Sequence, residues 1–284
     1  MDLLEQYKSS LKMPEAEEVL DLVVYRPAAF VVIKTIYRSP ITPNQVSFTA
    51  LVAGLFSAWY LSLGTPLSYL IASAFYFVAN VLDCSDGQLA RLQQSGTPLG
   101  RLIDGLVDYV ISVAIFAGIG IGLDAGGHPM WLAVVAAGIT SMLHAIVFDH
   151  YQGEYILIAR GGINSRDEEF ETIALKVRNR GTKQYSFFTR LLLRAYLSYL
   201  TVQRKLVPTR AGPSPDRFRS ENKIMIRLWS YLGPTTNRTA LIICAALGRV
   251  DMYLWAIIII GNLWLGYCMF MQRWVDIRLG RGRA

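Results

Sequence analysis

Four aspartates, Asp83, Asp86, Asp104 and Asp108, lie in the segment VLDCSDGQLARLQQSGTPLGRLIDGLVDY, residues 81–109, between two long apolar runs. A carboxylate at a membrane edge is expensive, so four together need compensation. Asp83 and Asp86 stand i,i+3 and share a helix face with Gly87 and Ala90, while Asp104 and Asp108 stand i,i+4 and share a face with Gly100. The connection from Gln93 to Pro98 is short enough to fold the two helices into an antiparallel hairpin that brings the carboxylates together. Converging carboxylates repel, and one or two divalent cations offset that charge. Oxygen-only ligands select a hard ion, Mg²⁺ or Mn²⁺, and such ions bind together with substrate phosphates. Gly87, Ala90 and Gly100 leave room for a bulky ligand near the backbone, and Arg91 offers a fork for phosphate oxygens. Taken singly, each aspartate reads equally well as a helix cap or a solvated charge at the membrane edge.

The spacing D-x2-D-G-x2-A-R-x8-G-x3-D-x3-D is met without a gap or substitution by Asp83, Asp86, Gly87, Ala90, Arg91, Gly100, Asp104 and Asp108. At average residue usage this pattern arises by chance with a probability on the order of 10⁻⁷ or less. It resembles the signature of the CDP-alcohol phosphotransferase family, and Ser39-Pro40-Ile41-Thr42-Pro43-Asn44-Gln45-Val46 resembles the TPN lead-in to that family's first helix. The resemblance covers about residues 26–275, without specificity over much of 161–222. It implies that Asp83, Asp86 and Asp104 hold metal, two ions in all, and that Asp108 acts as base while lying next to the metals. It further implies that Gly87, Ala90 and Gly100 line a cytidine pocket and that Arg91 contacts the diphosphate. The implied partners are a CDP-alcohol donor and an alcohol acceptor, with CMP released, and the implied assembly is a homodimer.

Such a site needs a membrane scaffold, and the composition provides one. The 284 residues are 53% hydrophobic and 17% charged, with a mean hydropathy of +0.33, too apolar for an ordinary soluble domain. Apolar stretches near 42–64, 66–92, 98–122, 129–159, 225–248 and 251–274 are long enough to cross a bilayer. They lack barrel alternation, so the expectation is an all-α integral membrane protein, a six-transmembrane-helix bundle. With the N-terminus in the cytoplasm, the outer loops fall near 64–66, 123–129 and 249–250, and of 28 Lys and Arg only Arg249 lies in them. The active site then faces the cytoplasm, at the inner or plasma membrane if the source is prokaryotic. The net charge of +7 and pI near 9.3 are explained by attraction to anionic lipid headgroups beside the spans, not by nucleic acid. The first 25 residues carry six acidic groups and no apolar leader. Cys84, Cys244 and Cys268 have no metal-ligand spacing and read as small apolar fillers; His128, His144 and His150 are too scattered for a zinc site.

Along the chain, residues 1–25 read as a cytoplasmic N-terminal appendage, with a helix starting at Pro14. Residues 26–275 form the transmembrane domain and 276–284 a basic cytoplasmic tail. Arg26-Pro27 through Arg38 reads as an amphipathic helix lying in the interface, and 161–222 as a cytoplasmic or interfacial insertion with a second amphipathic helix around Phe187–Leu200. Three features bear on substrate. Asn44 reads as a nucleotide contact or as an N-cap. Arg238, inside the fifth expected span, binds an acceptor phosphate, snorkels, or pairs with a motif aspartate. Asp149-His150-Tyr151 with Glu154 shapes a polyol or amino-alcohol pocket or belongs to an aromatic belt. The leading reading is a CDP-diacylglycerol donor with a small polar acceptor such as inositol phosphate or glycerol phosphate. The alternative is CDP-choline or CDP-ethanolamine-type headgroup transfer to a lipid alcohol, to which the segment 148–162 bears a faint resemblance. A cation transporter or channel, the alternative from another class, is opposed by the gathering of acidic residues at one membrane face.

Overall fold

A computed structural model describes residues 3–11, 13–96, 98–159 and 214–280. The amphipathic helix expected around 187–200, most of the insertion 161–222 and the end of the tail, 281–284, lie outside the described residues. The described residues are helical and contain no strand, as the apolar runs require. The helices are α1 (Leu3–Ser10), α2 (Arg26–Ile36), α3 (Pro43–Ser62), α4 (Pro66–Leu92), α5 (Pro98–Ala125), α6 (Trp131–Ala159), α7 (Pro215–Ser230), α8 (Pro234–Ala246), α9 (Val250–Trp255) and α10 (Asn262–Arg278).

Local sequence sets the starts. Thr42 caps α3 and exchanges hydrogen bonds with Gln45, while Thr65 does the same with Ser68 at α4, each cap being followed by a proline whose missing N–H is no loss there. Asn44 is therefore not the cap; it sits exposed in the first turn of α3.

Close approach holds α3, α4 and α5 together. A Cβ on Gly118 or Gly122 of α5 would overlap the carbonyl oxygens of Ala58 and Leu61 on α3. Small residues permit the backbone contact that drives helix association where lipid removes the hydrophobic drive. The Ser57 hydroxyl donates to the Ala72 carbonyl at 2.8 Å, tying α3 to α4. One core cluster runs through Leu61, Tyr69, Ile115, Ile119, Leu123, Val134, Leu241 and Leu254, joining α3 to α6 with α8 and α9.

Among the described residues, five helical stretches are long and apolar enough to cross a membrane: Pro43–Ser62, Pro66–Leu92, Ile103–Ala125, Trp131–Ala159 and Val250–Arg278. The expected span 225–248 is divided between α7 and α8 by a turn through Tyr231, Leu232 and Gly233. The 13 residues of α8 amount to about 20 Å of helix. Within the last stretch, a π-helical bulge at Ala256–Gly261 faces His144, and a Cβ on Gly261 would lie 2.5 Å from the imidazole.

The N-terminal residues are woven into the bundle. The helix expected from Pro14 is replaced by turns through residue 17, with helical winding resuming at residue 19. The reason is competition for carbonyls. Arg227 donates to the Pro14 and Glu17 carbonyls at 2.9 and 3.0 Å, and Gln152 donates to Ala16 at 2.6 Å. Glu15 accepts from Arg219 and Tyr155, each at 2.8 Å, and the Arg219 guanidinium holds its carboxyl down at about 2.

Candidate active site

The second half of α4 carries Asn80, Asp83, Asp86, Gly87, Ala90 and Arg91, and the first turns of α5 carry Gly100, Asp104 and Asp108. The reversal between them uses Gln94 in the left-handed region, φ 49°, with the Ser95 amide returning to the Ala90 carbonyl at 3.0 Å. This hairpin does what the spacing requires: one carboxylate oxygen each from Asp83, Asp86 and Asp104 lies within 4.8 Å of the others.

Neighbouring helices fix the carboxylates. The Ser47 hydroxyl, on α3, donates to Asp86, whose side chain is buried. Arg238, on α8, reaches both arms of the hairpin. Its Nη1 donates to Asp83 Oδ2 and Asn80 Oδ1, each at 3.0 Å, and its Nη2 lies 2.6 Å from Asp108 Oδ1. Of the three roles open to Arg238, pairing with motif aspartates is the one this geometry realises. Asp108 is thus held by the guanidinium beside the three-carboxylate cluster. The carboxylates of Asp83, Asp86 and Asp104 lie close enough to share one cation, which would offset their mutual repulsion. An all-carboxylate donor set fits a hard divalent ion.

Arg91 turns back along α4. Its Nε donates to the Ser10 carbonyl, the guanidinium passes 3.5 Å from where a Gly87 Cβ would stand, and its buried Nη2 has no hydrogen-bond partner among the described residues. Gly87, Ala90 and Gly100 are half-buried on the two arms. At the end of α6, Tyr151 stacks on Trp229 with centroids 4.1 Å apart. Tyr151 and Glu154 border a cavity of about 10 Å³, room for one water and not for a polyol.

Sequence reasoning did not single out Ser47, Asn80, Glu18 or Tyr25. Asn80 had a signal, since it continues the i,i+3 series of Asp83 and Asp86. Glu18 had none. Its carboxylate is buried and accepts from the Thr235 amide at 3.1 Å, the Thr236 amide at 2.8 Å and the Thr236 hydroxyl at 2.9 Å. Burial pushes its carboxyl up to about 7, with Asp21 beside it adding to the rise.

Helices of membrane-spanning length that gather acidic side chains at the ends of a hairpin define an all-helical protein with a candidate centre for divalent cations. Residues 40–176 match the family model for CDP-alcohol phosphatidyltransferase. Among curated proteins it is similar to cholinephosphotransferase 1 of Rattus norvegicus, 32% identical over 100 residues, 32% of this chain and 25% of the relative. It is also similar to the CDP-diacylglycerol–inositol 3-phosphatidyltransferase of Homo sapiens, 29% identical over 103 residues, 32% of this chain and 46% of the relative. The bifunctional IPC transferase and DIPP synthase of Thermococcus kodakarensis is 32% identical over 77 residues, 27% of this chain and 17% of the relative. The matched part thus spans between a sixth and a half of these relatives' lengths.

Proposed function

We propose that the chain is an integral membrane enzyme that transfers a substituted phosphate group from a CDP-alcohol to an acceptor hydroxyl and releases CMP. The observation that carries this reading is the convergence of Asp83, Asp86 and Asp104 within 4.8 Å on a hairpin that meets every fixed position of the motif. Those three side chains would hold Mg²⁺ or Mn²⁺, one or two ions, which when bound supply charge neutralisation for a diphosphate and its leaving group.

The remaining work falls to the chain's own residues. Arg91 would contact the nucleotide diphosphate, and Gly87, Ala90 and Gly100 would line the cytidine pocket. Asp108 takes the proton of the acceptor hydroxyl as its oxygen bonds to the β-phosphorus, and the bond from that phosphorus to the CMP oxygen breaks. Arg238 pairs with both Asp83 and Asp108 and so orients Asp108 beside the cluster.

For the donor, CDP-diacylglycerol with a small polar acceptor is the reading we favour, in line with the inositol phosphatidyltransferase likeness. For the topology, α8 with the end of α7 makes the sixth crossing, α2 lies in the interface, and the hairpin faces the cytoplasm. The test is a panel of radiolabelled donors and acceptors with Mg²⁺ or Mn²⁺, read as CMP release and lipid product. CMP release that needs both substrates and a divalent ion is expected. No release from any donor sinks the enzyme reading, and product from CDP-choline and diacylglycerol moves the chain to the headgroup-donor branch.

A further inference from the structure

The N-terminal segment grips both helices that carry the Arg238–Asp83 ion pair. On α4, the Arg26 guanidinium donates to the Cys84 carbonyl at 3.3 Å, the Gln88 amide donates to the Arg26 carbonyl at 3.3 Å, and Glu17 holds Arg26 by an ion pair at 2.9 Å. On α8, Glu18 meets the first turn and the Tyr25 hydroxyl lies 2.9 Å from the Thr239 hydroxyl, one residue after Arg238.

The contact with Glu18 supplies something α8 lacks. The N-cap of α8 is Gly233, which has no side chain to accept from the free amides of the first turn. Glu18 accepts from the amides at the second and third helical positions, Thr235 and Thr236, the two that an N-cap side chain ordinarily serves, and its negative charge suits the helix N-terminus. Gly233 is also a necessity of the contact, since a Cβ there would overlap the Glu18 carboxyl group. Arg238 follows two residues after Thr236, so the seating of this turn sets where its guanidinium meets Asp83 and Asp108.

We infer that Glu18 is a positioning residue for the transfer reaction: by capping α8 from the N-terminal segment, it sets the placement of Arg238 between Asp83 and Asp108. The residue acts through Arg238 and touches no substrate. Its activity consequences rest on the transfer reaction proposed above.

The experiment compares Glu18→Ala, Gly233→Ala, Arg238→Ala and the double variant Glu18→Ala/Arg238→Ala in the full-length protein in detergent. Glu18→Ala and Gly233→Ala should each lower kcat roughly 10- to 100-fold, the range that misplacement by about 1 Å produces. In the Arg238→Ala background, Glu18→Ala should add no further loss. An equal fold-loss in both backgrounds would mean that Glu18 serves the fold alone, and overturns the proposal. A second arm does not depend on turnover or on the folding of Arg238→Ala. In ¹⁵N-arginine-labelled protein, the Arg238 guanidinium resonance, assigned by its loss in Arg238→Lys, should shift in both Glu18→Ala and Gly233→Ala. An unmoved resonance overturns the positioning role. Absence of CMP release by the wild-type protein sinks the transfer reading instead, and leaves the resonance to decide the grip.

Discussion

The proposed division of labour gives the clustered carboxylates to the metal and Asp108 to the proton. Asp83, Asp86 and Asp104 come within 4.8 Å of one another, and Arg238 pairs with both Asp83, at 3.0 Å, and Asp108, at 2.6 Å. If Asp108 takes the proton, Asp108→Asn keeps its size and an oxygen for Arg238 but has no basic site. It should lower kcat about 10²-fold or more with donor and Mn²⁺ binding nearly unchanged. Asp86→Asn, by contrast, removes an anionic ligand and should weaken Mn²⁺ binding, with activity partly restored at high metal. Metal titrations against donor binding and turnover separate the two. Recovery of Asp108→Asn to near wild-type turnover at high Mn²⁺ would remove the base assignment. The spacing of the aspartates made this much readable in the sequence, because helical periodicity converts i,i+3 and i,i+4 directly into shared faces. The supporting residues were not readable in the same way. Ser47 and Arg238 reach the hairpin from other helices, and only the packing of α3 and α8 on α4 says which side chains arrive.

At the scale of elements, the hairpin's placement depends on glycines whose role is backbone proximity. Gly118 and Gly122 share a face of α5, and at each a Cβ would overlap an α3 carbonyl oxygen. Replacing Gly122 by Leu should separate α5 from α3 and lower stability by roughly 1–3 kcal/mol or more, as overpacking does. The movement should also reach the site, because Asp104 and Asp108 ride on α5 while Ser47 holds Asp86 from α3. Thermal unfolding in detergent checks the first effect, and the Mn²⁺ dissociation constant the second. A variant as stable as wild type would show that α5 can shift without strain. The helices themselves were legible as apolar runs, but their termini were less so. Pro14 failed as a helix start because the carbonyls that would continue the helix are taken by Arg227 and Gln152, and a side chain distant in sequence leaves no local mark.

At the scale of the whole molecule, the number of crossings decides on which side the C-terminus lies. Among the described residues the continuous apolar helices number five, which taken alone would put residues 43 and 278 on opposite faces. The six-crossing reading requires α8, about 20 Å of helix, to complete a passage begun at the end of α7. Two observations favour it. Leu241, Ala245 and Val250 join the same core cluster as Leu61, Tyr69, Leu123 and Val134, which stand at the ends of α3 to α6 remote from the carboxylates. The charge distribution agrees, since Arg249 is the one cation in the loops assigned to the outer face. Single cysteines at Leu247 and Ile277, both exposed, report the outcome. In sealed cells, an impermeant maleimide should label Leu247→Cys from outside and Ile277→Cys only after permeabilisation, with the wild-type protein as the blank for Cys84, Cys244 and Cys268. Labelling of Ile277→Cys from outside, with Leu247→Cys protected, would leave five crossings and place the carboxylate centre and the C-terminus on opposite sides of the membrane.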